Sequence, residues 1–454
     1  MKHPPDRDRV DPDSDSGLDA GSNLSSDPGP EPSSDSGPQG EPDFRDALPE
    51  GPAHRRGAGL NPGNRFESQR VHVLGEHLDR RSLERQWEGE DPASGRPVRV
   101  PLEVIADKTR TIINRVQPTS DVPFDWTVNP YRGCEHGCIY CFARPYHEYL
   151  GFSSGLDFET KLIAKHDAPD LLRKELASPK WKGEPIVMSA ITDIYQPIEK
   201  RYELSRRCLE VMAESFQPVS TMTKNTLALR DTDLWQKLSS RNAGRVIVTI
   251  VTLDDELATK LEPRASPPMA RLKVIRELTA AGVPVSVNVA PVIPGLTDHE
   301  VPAILEAVAE AGARRAAWVL LRLPYQVKDL FLDWLDRNVH PDRARKVESL
   351  IRQARGGKLY DAGRVRRGGT RIDDQTSRMV ATRETRHERR PAAAERADFG
   401  HDRRRGEGVR AAQIKQVFDI ACRKFGLNRD VRPLSKKYFR RPSLHGQIGL
   451  FGDA

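Results

Sequence analysis

Cysteine is scarce in this chain of 454 residues, and it is unevenly distributed. Three of the five cysteines lie in one short segment, while Cys208 and Cys422 are far away from it. The first thirty residues are polar and lack the apolar centre of a secretion signal. Both features argue against a secreted protein stabilised by disulfides. We expect a cytoplasmic protein in which Cys208 and Cys422 are buried structural residues and the clustered cysteines have a chemical role.

Long apolar runs are also missing. The longest run, from Ala316 to Leu321, ends at Arg322 and is much shorter than the ~20 residues that span a bilayer. Apolar residues make up only 37% of the chain and charged residues 30%, which indicates a folded centre with polar, partly disordered ends. We therefore expect no contact with membranes. Nothing in the sequence indicates an oligomeric state.

Basic residues are rare at the start of the chain. Residues 1–50 hold 13 acidic and 4 basic residues, although the whole chain has a net charge of +7. The segment 1–58 is rich in Ser, Asp, Pro and Gly and lacks periodicity, which predicts a disordered acidic tail. The remainder is basic, so nucleic acid is an expected partner. Phosphorylated small substrates would fit the same charge.

Three cysteines lie between Asn129 and His147, with three and then two residues between them: Cys134, Cys138 and Cys141. Thiolates are soft ligands that suit zinc or an iron–sulfur cluster. A closed zinc site needs four ligands, and His136, which lies between two of the cysteines, is poorly placed to complete one. A cubane cluster held by three thiolates instead leaves one iron without a protein ligand. A zinc site completed from elsewhere, or a chance group of free thiols, is the alternative.

The spacing Cys-x3-Cys-x2-Cys, with Tyr140 directly before the third cysteine, resembles the signature of the radical S-adenosylmethionine (SAM) enzymes. The wider pattern, from Asn129 to Pro145, resembles the DNA-repair-photolyase-like branch related to spore photoproduct lyase. It reads Asn-Pro-Tyr-Arg-Gly-Cys-Glu-His-Gly-Cys-Ile-Tyr-Cys-Phe-Ala-Arg-Pro. The resemblance implies a [4Fe–4S] cluster whose open iron binds SAM, and reductive cleavage of SAM to a 5′-deoxyadenosyl radical. It also implies lyase-like chemistry and an electron donor such as a flavodoxin or ferredoxin.

Two positions depart from the pattern of that branch. Spore photoproduct lyases carry a hydrogen-donor cysteine two residues before a Ser-Asp pair, and here Ala190 stands two residues before Thr192. Phe142 replaces the second of two tyrosines that flank the third cysteine. The radical-generating half of the pattern is kept and the substrate half has changed, so the substrate and catalytic residues are unassigned. The alternative function is a non-catalytic protein, stabilised by a metal or cluster, that binds nucleic acid or senses redox state.

Strand and helix signals alternate from residue 129 to about 325. Strands are expected at Ile186–Met188, Val219–Thr223, Val246–Val251, Val283–Val289 and Ala317–Leu323. The clearest helix spans 267–281, with an apolar residue at every third position: Met269, Leu272, Ile275, Leu278 and Ala281. This alternation predicts an α/β fold with a parallel sheet. By resemblance, we expect the partial (β/α)6 TIM-like barrel of the radical SAM enzymes.

The carboxyl ends of the strands carry the candidate SAM contacts, because ligands of barrels collect there. The resemblance implies five residues that line SAM: Tyr140, Thr192, Asp193, Lys224 and Thr249. Thr192 and Asp193 suit an ammonium group but would serve equally well as a helix N-cap. Lys224 suits a carboxylate, although a solvated loop lysine is the alternative, and Thr249 could simply pack in its strand. Arg264 could bind an anion or form an ordinary ion pair.

Four regions are expected along the chain. They are the acidic tail 1–58, an extension 59–128 with one or two strands between Leu102 and Ile113, the radical SAM core 129–325, and a helical extension 326–454. That last region should contain two amphipathic helices within 326–355, a basic, partly disordered insert at about 368–400, and a helix at 410–425. The aromatic residues Phe331 and Trp334 are expected in the core rather than on a base-stacking surface.

Overall fold

The computed structural model describes residues 55–66, 100–116, 122–188, 190–360, 404–429 and 432–444, all of which belong to one structural unit. The acidic tail and the basic insert 368–400 lie outside the described residues, except for residues 55–58. Those four residues are the end of the predicted tail, and among them Gly57 and Ala58 are buried. The boundaries of the other predicted regions stay predictions.

Ten strands form two sheets in the described part of the chain. They are β1 Glu103–Ala106, β2 Ile113–Arg115, β3 Trp126–Val128, β4 Tyr131–Arg132, β5 Lys161–Ala164, β6 Ile186–Met188, β7 Val219–Thr223, β8 Gly244–Thr249, β9 Val285–Val292 and β10 Arg315–Leu320. The main sheet has the order β10-β9-β8-β7-β6-β3-β2, and only β2 is antiparallel. The small sheet has the order β1-β5-β4. Six parallel strands therefore form the predicted α/β core, and its first strand begins at residue 126.

Two strands have the predicted bounds, and the ends of the other three differ by two or three residues. Strand β8 ends before Ile250 and Val251, and β10 ends before Leu321 and Leu323, although all four side chains are almost fully buried. Ile250 belongs to the core of the main sheet, whereas Val251, Leu321 and Leu323 belong to a second core into which the loops after the strands pack. Continuous apolar character reports burial and not strand pairing, which is why the strand ends were misplaced.

The helices of the described residues mostly follow the predicted alternation. They are α1 Asp157–Thr160, α2 Ala168–Ala177, α3 Glu199–Tyr202, α4 Leu204–Ser215, α5 Thr232–Ser239, α6 Asp255–Leu261, α7 Pro268–Ala280, α8 Val301–Glu310, α9 Val327–Asn338, α10 Pro341–Gln353 and α11 Val409–Lys424. Met269 on α7 is 61% exposed, whereas Leu272, Ile275 and Leu278 are buried. A spacing of three residues drifts around a helix of 3.6 residues per turn, so the predicted stripe could not stay on one buried face.

Two apolar cores position the site. One fills the space between the main sheet and its helices and contains the buried Cys208 and Cys422. The second packs α9 and α10 against the loops at the carboxyl edge, and it includes Phe331, Trp334 and Cys138 from the cysteine loop. Both aromatic residues are therefore core residues, as predicted. Among the described residues, no helix combines the length and the apolar character that a membrane span requires.

Candidate active site

The three clustered cysteines lie in a loop that leaves β4 and ends at a 3₁₀-helix, Arg144–Leu150. Gly133 and Gly137 take the left-handed conformation, with φ of +74° and +65°, which favours glycine. A Cβ atom at Gly137 would lie 2.7 Å from a carboxylate oxygen of Glu159. The loop can therefore turn back closely on itself only because these positions carry no side chain.

A buried ion pair fixes the shape of this loop. Arg144 is fully buried, and its guanidinium donates to the carbonyl oxygens of Cys138 at 3.0 Å and Gly137 at 3.2 Å. The same group donates to Glu159 at 2.6 Å. The Glu159 carboxylate also accepts the backbone N–H groups of Gly57 and Ala58, each at 3.0 Å. One arginine and one glutamate thus join the cysteine loop to the chain before the core.

The cysteines form one group in which thiols influence one another. Cys134 and Cys138 are buried, and Cys141 is half-buried. Burial raises the pKa of the Cys138 thiol, and the charge of Lys224 offsets part of this rise. Burial also raises the pKa of the Cys141 thiol, where the charge of Arg144 acts in the opposite direction. Among the described residues no group of three His, Cys, Asp or Glu residues lies close enough for a single metal ion. Two buried thiols and one half-buried thiol beside two cations are a donor set that fits an iron–sulfur cluster, in which each thiolate binds its own iron.

The residues between the cysteines are tied to the surrounding loops. The Glu135 carboxylate accepts Ile198 N–H at 2.6 Å and pairs with Arg264 at 2.6 Å. The backbone N–H of Glu135 donates to the Gln196 side-chain oxygen at 2.9 Å. Arg264 therefore forms an ion pair within the protein, one of the two predicted roles. His136, the candidate fourth ligand, is instead paired with Asp193.

Asp193 is the centre of a second buried network. One of its carboxylate oxygens accepts hydrogen bonds from the backbone N–H of Lys224 at 2.8 Å and from the Thr223 hydroxyl at 3.0 Å. The same oxygen lies 3.3 Å from His136 Nδ1. The other oxygen accepts the Tyr195 N–H at 2.9 Å. Burial alone would lower the pKa of His136, but the charges of Asp193 and Cys134 raise it to about 10. One oxygen of Asp193 therefore binds the end of β7 and His136, and the other binds the loop in which Asp193 itself lies.

Tyr140 and Lys224 meet at the carboxyl edge of the sheet around Glu262. The Tyr140 hydroxyl donates to Glu262, whose other carboxylate oxygen binds Arg271. The Lys224 ammonium lies 3.9 Å from Glu262 and 6.0 Å from the centre of the Tyr140 ring. Burial alone would lower the pKa of Lys224, but Cys138 and Glu262 raise it, so the ammonium stays charged beside the cysteine loop.

The two predicted threonines also border the loop and its networks. Thr192 donates to the Gly133 carbonyl at 2.7 Å and accepts from Gln196 at 3.0 Å. Thr249 is buried at the end of β8, and its carbonyl accepts from Arg271 at 3.0 Å. The structure therefore brings all five predicted SAM contacts, Tyr140, Thr192, Asp193, Lys224 and Thr249, into one connected region at the carboxyl edge.

Sequence reasoning missed the buried charges that support this region: Arg144, Glu159, Glu262 and Arg271. The sequence pattern from Asn129 to Pro145 contains Arg144 but does not indicate that it is buried. Glu262 lies two residues before Arg264, and nothing near it in the sequence indicates its partners. Arg271 lies on the buried face of α7, among Leu272, Val274 and Ile275. A charged residue at a core-facing helix position is the one signal that could have pointed to it, since buried charges need partners.

Exposed aromatic side chains surround Arg65 next to this region. The Arg65 guanidinium lies 4.7 Å from the ring centre of Phe66 and 3.8 Å from that of Tyr325, and it pairs with Glu148 at 2.7 Å. Phe66 lies 4.9 Å from Tyr149. All three aromatic residues expose 42–65% of their surface. We name Arg65, Phe66, Tyr149 and Tyr325 the aromatic surface; it adjoins the 3₁₀-helix that follows the cysteine loop.

Comparisons with known proteins show what this chain is similar to. The family model described as Radical SAM superfamily matches residues 128–308. An uncharacterized protein of Mycobacterium tuberculosis is 38% identical over 246 residues, which cover 54% of this chain and 72% of that protein. A radical SAM Nalpha-GlyT isomerase of Pseudomonas phage M6 is 23% identical, covering 50% of this chain and 46% of that protein. A structure of spore photoproduct lyase complexed with dinucleoside spore photoproduct covers 53% of this chain and 68% of its own, with 14% identity and a TM-score of 0.40.

Proposed function

Because this chain belongs to the radical SAM superfamily, we propose that it holds a [4Fe–4S] cluster on three thiolates, those of Cys134, Cys138 and Cys141. The cluster with SAM, when bound, supplies a 5′-deoxyadenosyl radical that removes a hydrogen atom from the substrate. The observation that carries the proposal is the group of three mutually interacting, largely buried thiols at the carboxyl edge of a parallel sheet. Ligands of such sheets bind at this edge.

The protein's own residues would orient SAM by charge. Lys224 is a largely buried cation next to Cys138, and its ammonium is the group that best fits the SAM carboxylate. Glu262 and the Tyr140 ring hold that ammonium in place. Asp193 contributes to the position of Lys224, because its carboxylate accepts the backbone N–H of Lys224 and fixes the end of β7. Lys224 is therefore the residue on which SAM orientation most depends.

The threonines would complete the SAM site from two sides. The Thr192 hydroxyl already donates one hydrogen bond and accepts another, and a hydroxyl has a second lone pair that suits the SAM ammonium. Thr249 ends β8, where the loop after the strand leaves the sheet. Both positions follow from the strand ends that the parallel topology brings together.

Nucleic acid is the substrate class that we propose. The basic excess of the chain outside its acidic first fifty residues favours a polyanion. The aromatic surface offers exposed rings and an arginine, the combination on which unpaired bases stack. The reaction on the substrate is lyase-like by resemblance, although the donor cysteine of spore photoproduct lyases is replaced by Ala190. Electrons would come from a flavodoxin or ferredoxin.

The test is anaerobic reconstitution followed by metal analysis and a SAM cleavage assay. We expect about four iron and four sulfide ions per chain, and 5′-deoxyadenosine release with a low-potential reductant. Replacing any one of the three loop cysteines, as in Cys138→Ala, should abolish release of 5′-deoxyadenosine. Cys208→Ala, which removes a thiol buried in the other core, is the matched control and should keep both iron and activity.

Two results would point to the alternative functions. Zinc at full occupancy without SAM cleavage would favour a non-catalytic nucleic-acid-binding protein. An iron–sulfur cluster without affinity for SAM would favour a redox sensor. Either outcome would overturn the proposed enzyme mechanism.

A further inference from the structure

A cavity of about 320 Å³ lies at the other end of the main sheet, where β8, β9 and β10 begin. Four arginines contribute to its wall: Arg245, Arg314, Arg315 and Arg432. Arg245 and Arg315 are half-buried, and the other two are exposed. The C-terminal segment closes one side, because Arg245 donates to the Arg432 carbonyl at 2.6 Å. The cavity is therefore built by strand starts that are far apart in sequence.

Three of the four arginines, Arg245, Arg314 and Arg315, have no acidic partner in the part of the chain that the structure describes. Burial and the charge of Arg315 lower the pKa of Arg245 to about 10, so both guanidinium groups stay charged near neutral pH. The cavity wall also contains Thr279, whose buried hydroxyl oxygen has no hydrogen-bond partner. Adjacent, unpaired cations beside an unused hydroxyl indicate a site for an anion.

The arginines of the cavity and Thr249 at the carboxyl edge lie on the same face of the sheet. Ser286 pairs with Arg315 on one side and with Ile247 on the other. Arg245 and Thr249 lie two residues before and after Ile247, so their side chains share the face of Ser286 and Arg315. Four residues of strand separate Arg245 from Thr249 by about 13 Å. One extended ligand could therefore contact the arginines and still reach the carboxyl edge.

We propose that the arginine cavity binds a phosphate group of the substrate, in addition to the SAM site at the opposite edge. Guanidinium groups match the oxygens of phosphate with paired hydrogen bonds, and the Thr279 hydroxyl adds a further donor. The volume is at the small end of ligand pockets, which suits one nucleotide unit rather than a duplex. The identity of this phosphate as part of the substrate rests on the proposed function, while its binding does not.

The experiment measures binding to the full-length, reconstituted protein without reductant. The probes are inorganic phosphate, a 5′-mononucleotide and a short single-stranded oligonucleotide, and the readout is calorimetric affinity. Arg315→Gln should weaken phosphate binding about tenfold, the effect of losing one charged hydrogen bond. Arg314→Gln, at an exposed position, provides a second variant that should fold normally and weaken binding in the same direction. Arg343→Gln, an exposed arginine on α10, is the control and should bind like the unmodified protein.

The probes separate the two sources of phosphate. A mononucleotide that binds as tightly as the oligonucleotide identifies a free nucleotide as the ligand. Preferential binding of the oligonucleotide, with a salt dependence that becomes shallower by about one counterion in Arg315→Gln, identifies a nucleic-acid backbone. Both results support the phosphate site. Equal phosphate affinity of Arg315→Gln, Arg314→Gln and Arg343→Gln would overturn it, as would the absence of measurable phosphate binding.

Binding and radical chemistry fail independently in this design. A protein that binds phosphate through Arg315 but releases no 5′-deoxyadenosine contradicts the proposed function and leaves the arginine cavity in place. If the protein cleaves SAM but the arginine substitutions leave its phosphate affinity unchanged, only the proposed phosphate site in the cavity is contradicted.

Discussion

The two edges of the main sheet differ in whether their charged side chains form ion pairs. At the carboxyl edge each central charge has a partner, as in the pairs of Arg144 with Glu159 and Arg271 with Glu262. At the amino edge Arg245 and Arg315 line a cavity without a carboxylate partner among the described residues. Paired buried charges fix one geometry, whereas unpaired cations leave room for a ligand that supplies the missing charge. Charge pairing therefore separates the side chains that support the carboxyl edge from the arginines that are available to a ligand at the amino edge.

The largest expected effect comes from breaking the carboxyl edge at Arg144. Arg144→Met leaves Glu159 buried without its cation and four backbone carbonyl oxygens without this donor in a closed space. Removing one partner of a buried ion pair costs about 3–5 kcal/mol. The free energy of unfolding, measured by urea denaturation, should fall by that amount.

A matched control exists in the ion pair of Arg173 with Glu214, which has two short hydrogen bonds but is partly exposed. Arg173→Met should cost much less, because solvent screens exposed pairs. Equal destabilisation by the two substitutions would mean that burial of the pair does not matter, and the contrast between the edges would lose its basis.

Acid should weaken the carboxyl edge selectively through His147. This ring packs against Phe152 and Phe158, and burial lowers its pKa from an ordinary value of about 6.5 to about 4, although the Asp157 charge raises it. Between those values the unfolded chain binds a proton that the folded protein does not. Stability is therefore kept above pH 6.5 and lost as the pH falls toward 4, by up to about 3 kcal/mol.

The measurement is the pH dependence of urea unfolding for three proteins. His147→Gln should lose less stability than the unmodified chain over this range, while the exposed His340→Gln should lose the same amount. If the free energy of unfolding depends on pH in the same way for all three proteins, His147 is not the cause of the acid sensitivity. The residues that line the arginine cavity include no histidine and no carboxylate, so acid should leave that edge unaffected over the same range.

The sequence predicted well those features that depend on nearby residues. The spacing of Cys134, Cys138 and Cys141 lies within one loop, and superfamily membership confirms the resemblance drawn from it. Lys224 could be placed because it follows β7, and Thr249 because it lies in the strand β8, and the ends of parallel strands meet at one edge. Their roles at SAM stay predictions.

Long-range charge pairing could not be predicted in the same way. Gly57 and Glu159 are 102 residues apart, and nothing local indicates that a backbone N–H needs that carboxylate. Arg245 and Arg315 each stand near the start of a strand, where an arginine is usually solvated. Only the order β8-β9-β10 places them around one cavity. Pairing partners follow from strand order, which hydrophobic periodicity does not contain.

The smallest expected effect has the opposite sign from the first and lies at the amino edge. Since Arg315 lowers the pKa of Arg245, the two charges repel each other in the folded protein. Arg315→Gln removes that repulsion, and we expect the free energy of unfolding without phosphate to rise by a few tenths of a kcal/mol, because solvent screens these half-exposed groups. Added phosphate should then stabilise the unmodified protein more than Arg315→Gln. A loss of stability without phosphate, relative to Arg343→Gln, would show that Arg315 is a structural residue like Arg144.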